Sequence, residues 1–270
     1  MEKYVFADGL ELPYLASRQN PRVVTAARLD EKKLREKSGL FLCEGVKLTH
    51  EAALFGHLRE VYVRESNADM HESALREALD VGGEAFVLSD AAFDKISTEK
   101  APQGIISLAA KREALRDIPP CGNILFLDSL RDPGNLGTVL RSACALGSVS
   151  VALYSCADLY APRTVRAAMG ALFKLNIIEL ASPEDFLGEC RRRGRRILGA
   201  ALRDDCLTLG CYDTRDDDVI VIGNEGHGIS DAVCELCDDF VIIPMNENTE
   251  SLNAATAASV ILWEYARGVC

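Results

Sequence analysis

Three short stretches hold the side chains best suited to chemistry. "DPGNLGTVLR" sets Asn135 six residues ahead of Arg141, "GNEGHG" sets Glu225 among glycines, and "NENTESLN" brings Ser251 and Asn253. An arginine among apolar helix neighbours either snorkels from the core edge or presents a planar fork to a phosphate or carboxylate. A glycine-rich turn lets backbone amides approach a ligand closely. It serves equally as a tight strand-to-helix turn, with Asn224 and Ser230 as caps. "GNEGHG" is neither a dinucleotide fingerprint nor a P-loop, because it lies far from the first strand and no Gly-Lys-Ser follows. His227, alone in that loop, is assigned no role.

The elements that must position these groups follow from hydrophobic patterning. Residues 123–128, 148–155, 175–180, 196–202, 218–223 and 240–245 are apolar runs separated by helical patterns. That is the signature of an α/β fold whose parallel sheet is covered on both faces. A helix over 135–147 is expected, with Asn135 as its N-cap and Gly147 closing it. Ligands of open α/β sheets sit beyond the carboxyl ends of the strands. All three polar stretches fall there. The first half reads as a smaller α/β domain with strands near 58–65, 84–90 and 104–111. Pro119–Pro120 breaks both periodicities, so 113–122 is read as a linker between 1–112 and 123–270. The first few residues and 18–38 read as a helical, basic preface.

A net charge of −11 argues against indiscriminate nucleic-acid binding, yet residues 18–47 hold eight Lys/Arg against four Asp/Glu. Arg22, Arg28, Lys32, Lys33 and Arg35 are therefore candidate RNA contacts through local electrostatics. The run Arg191–Arg196 either favours a helix C-terminus and solvent or touches RNA. The opening residues carry no apolar signal region, and the uncharged apolar stretch Ser251–Trp263 is too short to span a bilayer. A soluble, cytoplasmic protein with reduced cysteines is expected. Cys234 and Cys237 lack the second ligand pair of a zinc site, so no metal is expected.

In combination, "DPGNLGTVLRSACALG", "VIGNEGHGIS" and "IPMNENTESLNAATAASVILWE" resemble the signature motifs of the SpoU-type RNA 2′-O-ribose methyltransferases of the SPOUT superfamily. The resemblance implies a C-terminal parallel-sheet domain with a deep trefoil knot, preceded by a smaller α/β substrate-binding domain. It implies S-adenosylmethionine as cofactor, held at Gly199, Gly223, Ile243 and Leu252 largely through backbone. Arg141 matches the signature arginine, and Asn135, Glu225, Ser251 and Asn253 match polar positions that orient Arg141, the ribose or a partner subunit. Arginine is a very poor base at neutral pH, so Arg141 is read as electrostatic positioning. The family pairs its knotted domains, which implies a homodimer through the C-terminal domain. The two-domain form leans toward large-subunit ribosomal RNA over transfer RNA, with a non-catalytic RNA-binding protein as the alternative. One departure is that Asn246 and Glu247 stand where many relatives place a small residue and a glycine.

Overall fold

The computed structural model describes residues 2–113, 115, 117–148, 150–203, 205–246 and 251–267. The chain forms two compact units. One comprises Met1–Arg112 with Tyr160–Phe173, the other Glu113–Leu159 with Lys174–Cys270.

In the first unit, strands β1 (Lys3–Val5), β2 (Glu11–Leu15), β3 (Leu40–Glu44), β4 (Leu58–Arg64), β5 (Glu84–Leu88) and β6 (Ile105–Ala110) form a mixed sheet in the order β1-β2-β5-β4-β6-β3. The opening residues thus pair antiparallel with β2 and are not helical as expected. Helices α1 (Pro21–Ala27), α2 (Lys32–Ser38), α3 (Val46–Leu54), α4 (Glu72–Asp80) and α5 (Asp90–Ile96) connect these strands. Asn20 caps α1 by accepting from the Arg22 N–H at 2.9 Å, with Pro21 in the first turn. Val23, Ala26 and Leu29 pack with Tyr62, Phe86, Phe93 and Ile106 in one core.

Within this unit the basic preface is largely consumed. Arg22 lies between Glu60 at 3.1 Å and Glu84 at 2.9 Å, over the Phe86 ring. Arg28 pairs with Glu31 at 3.0 Å and Lys32 with Glu36 at 3.8 Å, while Lys33 stays exposed. Arg35, expected on an RNA face, is instead buried at 3% exposure, donating to the carbonyls of Leu29 at 2.6 Å and Asp30 at 2.7 Å. The turn between α1 and α2 leaves those carbonyls without helical partners, and the guanidinium satisfies them.

A later segment joins the same unit. Phe41 meets the tilted ring of Tyr160 at 4.8 Å and stacks with Phe173 at 5.9 Å. Between these two aromatics runs α7 (Pro162–Ala168), where Arg166 pairs with Glu99. Met169, with a left-handed φ of 49°, ends that helix.

In the second unit, β7 (Ile124–Asp128), β8 (Ser150–Tyr154), β9 (Asn176–Leu180), β10 (Ile197–Ala200), β11 (Leu207–Thr208), β12 (Val219–Ile222) and β13 (Asp239–Ile242) form an all-parallel sheet in the order β11-β13-β10-β12-β7-β8-β9. Its helices are α6 (Pro133–Ala145), α8 (Pro183–Arg192), α9 (Asp231–Cys234) and α10 (Ala254–Arg267). Alternate strand residues Ile124, Phe126, Ile197, Val219 and Val221 pack with Phe186, Leu187, Cys190 and Val233 from α8 and α9. Helices α6 and α10 pack on each other, joined by a Ser259–Ser142 hydroxyl bond of 2.7 Å. Ile118, from the expected linker, is buried in this unit's core.

Two arginines of the run, Arg195 and Arg196, are spent on the fold at the amino edge of this sheet, while Arg191, Arg192 and Arg193 stay exposed. Arg195, 4% exposed, donates to the carbonyls of Pro119, Gly122 and Asp217. Arg196 forks onto the fully buried Asp218 at 3.0 and 2.7 Å, and Tyr265 donates its hydroxyl to the same carboxylate at 2.8 Å. Cys234 and Cys237 are free thiols packed against the core. Among the described residues no helix is long and apolar enough to cross a membrane, and no group of three His, Cys, Asp or Glu is placed to hold a metal ion.

Removing a buried donor from two carbonyls costs about 1–3 kcal/mol. Arg35→Ala is therefore expected to lower urea-unfolding stability by about that amount, with Lys33→Ala within about 0.5 kcal/mol of the parent.

Candidate active site

Strand ends set the site. Beyond β10, β12 and β13 a cavity of about 470 Å³ opens, within the range of small-molecule sites. Ile222, Ile229, Val241, Ile243, Met245, Leu252 and Ile261 supply its apolar walls, and Arg203, Asn224, Glu225, His227 and Ser251 its polar lining. Of the four residues expected at the cofactor, Gly223, Ile243 and Leu252 line it. Gly199 does not. A Cβ there would stand 2.9 Å from the Phe240 ring and 3.0 Å from Ile229, so its glycine admits the packing behind the wall.

Gly223 is glycine for a stricter reason. A Cβ would fall 2.2 Å from the Gly228 carbonyl carbon and 2.3 Å from the Ile229 nitrogen. The loop closes back on itself there: Asn224 and Gly228 exchange both backbone hydrogen bonds, at 2.8 and 3.0 Å. Asn224 organises the turn from within, its Oδ1 accepting from the N–H groups of Gly226 at 2.9 Å and His227 at 3.1 Å. It therefore closes the loop itself and is not a helix cap.

The helix carrying Asn135 begins earlier than expected. Asp132 is the N-cap, its Oδ1 accepting from the Asn135 N–H at 2.8 Å, and Pro133 occupies the first turn. Asp-Pro outcompetes Asn135 because proline's fixed φ suits the first helical position and the preceding aspartate stays extended. Asn135 thereby gains a free amide side chain, and Glu225 uses it. The Glu225 Oε1 accepts from Asn135 Nδ2 at 3.1 Å and from the Asp132 N–H at 2.9 Å. Its Oε2 accepts from the Arg131 N–H at 3.1 Å and from Asn224 Nδ2 at 3.3 Å. Asn135 Oδ1 in turn accepts from Asn253 Nδ2 at 3.1 Å. Asn253 Oδ1 accepts from the N–H groups of Ala255 at 2.9 Å and Thr256 at 3.3 Å, capping α10.

An ionised carboxylate offers only acceptors, so it fixes the flip of Asn135 and through it that of Asn253. Partial burial pushes the Glu225 carboxyl upward. The hydrogen bonds from Asn135, Asp132 and Arg131 outweigh it and hold the group below the usual glutamate range. It sits ahead of a helix N-terminus, where negative charge is favoured. Asn135, Glu225 and Asn253 are thus brought together; Ser251 lies on the cavity wall.

Arg141 stands apart. Six residues after Asn135 it points about 120° away around α6. It is exposed, does not line the cavity, and forms no ion pair with any described residue. The expectation that it reaches the ligand edge of its own sheet is therefore not met within one chain. Glu247 lies outside the described residues.

Sequence reasoning missed Asp128 and Ser129. The fully buried Asp128 accepts from the Ser230 N–H at 2.7 Å and from the Ser129 hydroxyl at 3.0 Å, and Ser129 O accepts from Asn224 Nδ2 at 2.8 Å. A buried acid at a strand end was the available signal.

With this geometry in view, similarity to known proteins is informative. Residues 122–263 match the SpoU rRNA methylase family, and residues 20–107 match the MRM3-like substrate-binding domain. The chain belongs to the SpoU rRNA methylase family. It is 29% identical to the 23S rRNA (guanosine(2553)-2′-O)-methyltransferase RlmP of Bacillus subtilis, covering 92% of this chain and 97% of that one. It is 30% identical to the 23S rRNA (uridine(2479)-2′-O)-methyltransferase of Streptomyces viridochromogenes, covering 89% and 87%. The crystal structure of an AdoMet-bound rRNA methyltransferase from Sinorhizobium meliloti superposes with a TM-score of 0.85 at 28% identity, over 96% of this chain and 99% of that one. The SpoU methyltransferase AviRb from Streptomyces viridochromogenes, in complex with AdoMet, gives 0.82 at 29% identity, over 93% and 98%.

Gly223→Ala should lower the melting temperature and abolish cofactor binding together, because its methyl meets backbone. Gly226→Ala, whose Cβ would meet only Asn224 Oδ1 at 3.7 Å, should do neither; thermal melts with calorimetric titration of S-adenosylmethionine check this. A lowered folded pKa contributes stability above the ordinary value of about 4.5 and loses it as pH falls through the folded value. The melting-temperature gap between the parent and Glu225→Gln should therefore be widest above that pH and shrink below it.

Proposed function

We propose that this protein transfers the methyl group of S-adenosylmethionine to a ribose 2′-hydroxyl of 23S ribosomal RNA. The observation that carries the reading is the cavity walled by the second and third motif loops, which the Glu225–Asn135–Asn253 chain ties to the first. Its volume and apolar walls suit an adenosine, and its polar lining suits the charged end of the same molecule. When bound, the cofactor supplies an electrophilic methyl. The chain's own task is alignment, which provides much of the rate in such displacements.

Glu225 is an unsuitable proton acceptor, because four donors already hold its carboxylate and keep its proton affinity low. Arg141 holds the RNA phosphate beside the target ribose through its planar fork. Since Arg141 does not line its own cavity, it serves the cavity of a second copy in a homodimer. Val260 and Trp263, 36% and 59% exposed on α10, supply the apolar dimer surface. In the family's fold the C-terminal segment threads an earlier loop to form the trefoil knot. Support comes from Ile243, Met245, Ser251 and Leu252 sharing one cavity wall with 223–229 before α10 packs on α6. Lys33 and the first unit add RNA affinity, and ribosomal RNA as substrate places the reaction in the cytoplasm.

Labelled S-adenosylmethionine should methylate unmodified 23S rRNA transcript at a single ribose, located by nucleoside analysis. Absence of label from that RNA, with incorporation into transfer RNA, would replace the substrate. Arg141→Ala should lower turnover about 100-fold while cofactor affinity stays within a few-fold. Trp263 is the only tryptophan in the chain. Its emission should shift to the red on dilution as dimers dissociate, and Trp263→Glu should sediment as a monomer without turnover.

A further inference from the structure

A second arginine in the first motif loop has a role that neither the motif reading nor the family match assigns. Arg131 precedes the Asp132 cap of α6, on the carboxyl edge of the sheet. Four arginines elsewhere in this unit are tied to carboxylates: Arg191 to Asp238, Arg193 to Glu189, Arg196 to Asp218 and Arg267 to Glu264. Arg131 is exposed and forms no ion pair with any described residue. Its side chain is nevertheless oriented by one bond and its backbone by another. Nη2 donates to the Ser155 hydroxyl at 3.2 Å, and its backbone N–H is held by Glu225 at 3.1 Å.

The anchor is unusual in its own right. Ser155 follows β8 with φ of 53°, and Ser129 follows the adjacent β7 with φ of 58°. Non-glycine residues are uncommon there and persist where surrounding structure enforces them. The Ser129 N–H donates to Tyr154 O at 2.8 Å, and the Ala157 N–H donates to Leu130 O at 2.8 Å, so the two strand ends brace each other. Ser155 is thereby turned toward Arg131. A cation without an acid partner, on an acidic protein and in a residue whose backbone N–H is held by the same carboxylate as Asn135, is suited to an anion arriving from outside.

We infer that Arg131 binds a phosphate of the substrate RNA flanking the target nucleotide, with Ser155 as its positioning residue. The inference rests on the RNA-methyltransferase reading above. Ser155 accepts one guanidinium N–H and leaves the remaining donors for phosphate oxygens. Each phosphate contact adds about 0.7–0.9 to the slope of log affinity against log salt.

The test uses the full-length protein and in vitro transcribed, unmethylated 23S rRNA. RNA affinity is measured by filter binding from low to high salt, and KM and kcat by methyl transfer. Calorimetry of S-adenosylmethionine serves as the folding control. Arg131→Ala should raise the KM for RNA about tenfold and reduce the salt slope by about one contact, with cofactor affinity unchanged. Arg131→Lys should keep the slope while recovering only part of the affinity. Ser155→Gly, which relieves the backbone and removes the hydroxyl, should weaken RNA binding two- to fourfold in the same direction. Unchanged RNA affinity and slope in Arg131→Ala would overturn the inference alone, and so would a loss confined to dimer assembly by sedimentation. A wild-type protein that neither binds nor methylates this RNA would overturn the underlying reading as well.

Discussion

One carboxylate holds the catalytic unit together. Glu225 lies in the loop after β12, and its four donors come from the loop after β7, from α6 and from its own neighbour Asn224. Through Asn135 its influence reaches Asn253 and the first turn of α10. Three segments more than 90 residues apart in places are thereby held in one arrangement. The strand ends alone would leave these loops free to move. An acceptor-only group ahead of a helix N-terminus gives them a single register, because no amide can flip without losing a bond.

Around that anchor the backbone is packed so tightly that side chains are excluded. Gly223 lies against the returning backbone of its own loop, and Gly199 makes room for the Phe240 ring. The cavity is therefore shaped by main chain and apolar walls, which suits a ligand recognised by shape. The charged groups proposed to act on RNA lie elsewhere. Arg131 and Arg141 are exposed, whereas Arg35, Arg195 and Arg196 serve the fold.

Much of the architecture was legible in the sequence because buried parallel strands write themselves as continuous apolar runs. The strands of the second unit fall where those runs predict, apart from β11, whose Leu207–Thr208 is too short to leave a pattern. The motif residues were legible as a set, but their partners were not. Asn135 read as a cap because asparagine before a periodic run is a common start, and only Asp132-Pro133 shows why the helix begins earlier. Arg35 read as a surface cation because charge counts do not reveal which carbonyls lack partners. Tyr160–Phe173 gave no sign of joining the first unit, since aromatic contacts with Phe41 are made by tertiary packing across more than 100 residues.

The amide–carboxylate chain shapes the cofactor cavity through residues that do not themselves touch it, Asn135 among them. Asn135 tests it, because it belongs to the chain yet does not line the cavity. The measurement is calorimetric titration of S-adenosylmethionine into Asn135→Ala, with the folded state checked by thermal melting. The account predicts affinity weakened by about tenfold, about 1.4 kcal/mol, as the loops lose their common register. A folded Asn135→Ala protein that binds the cofactor as tightly as the parent would contradict it.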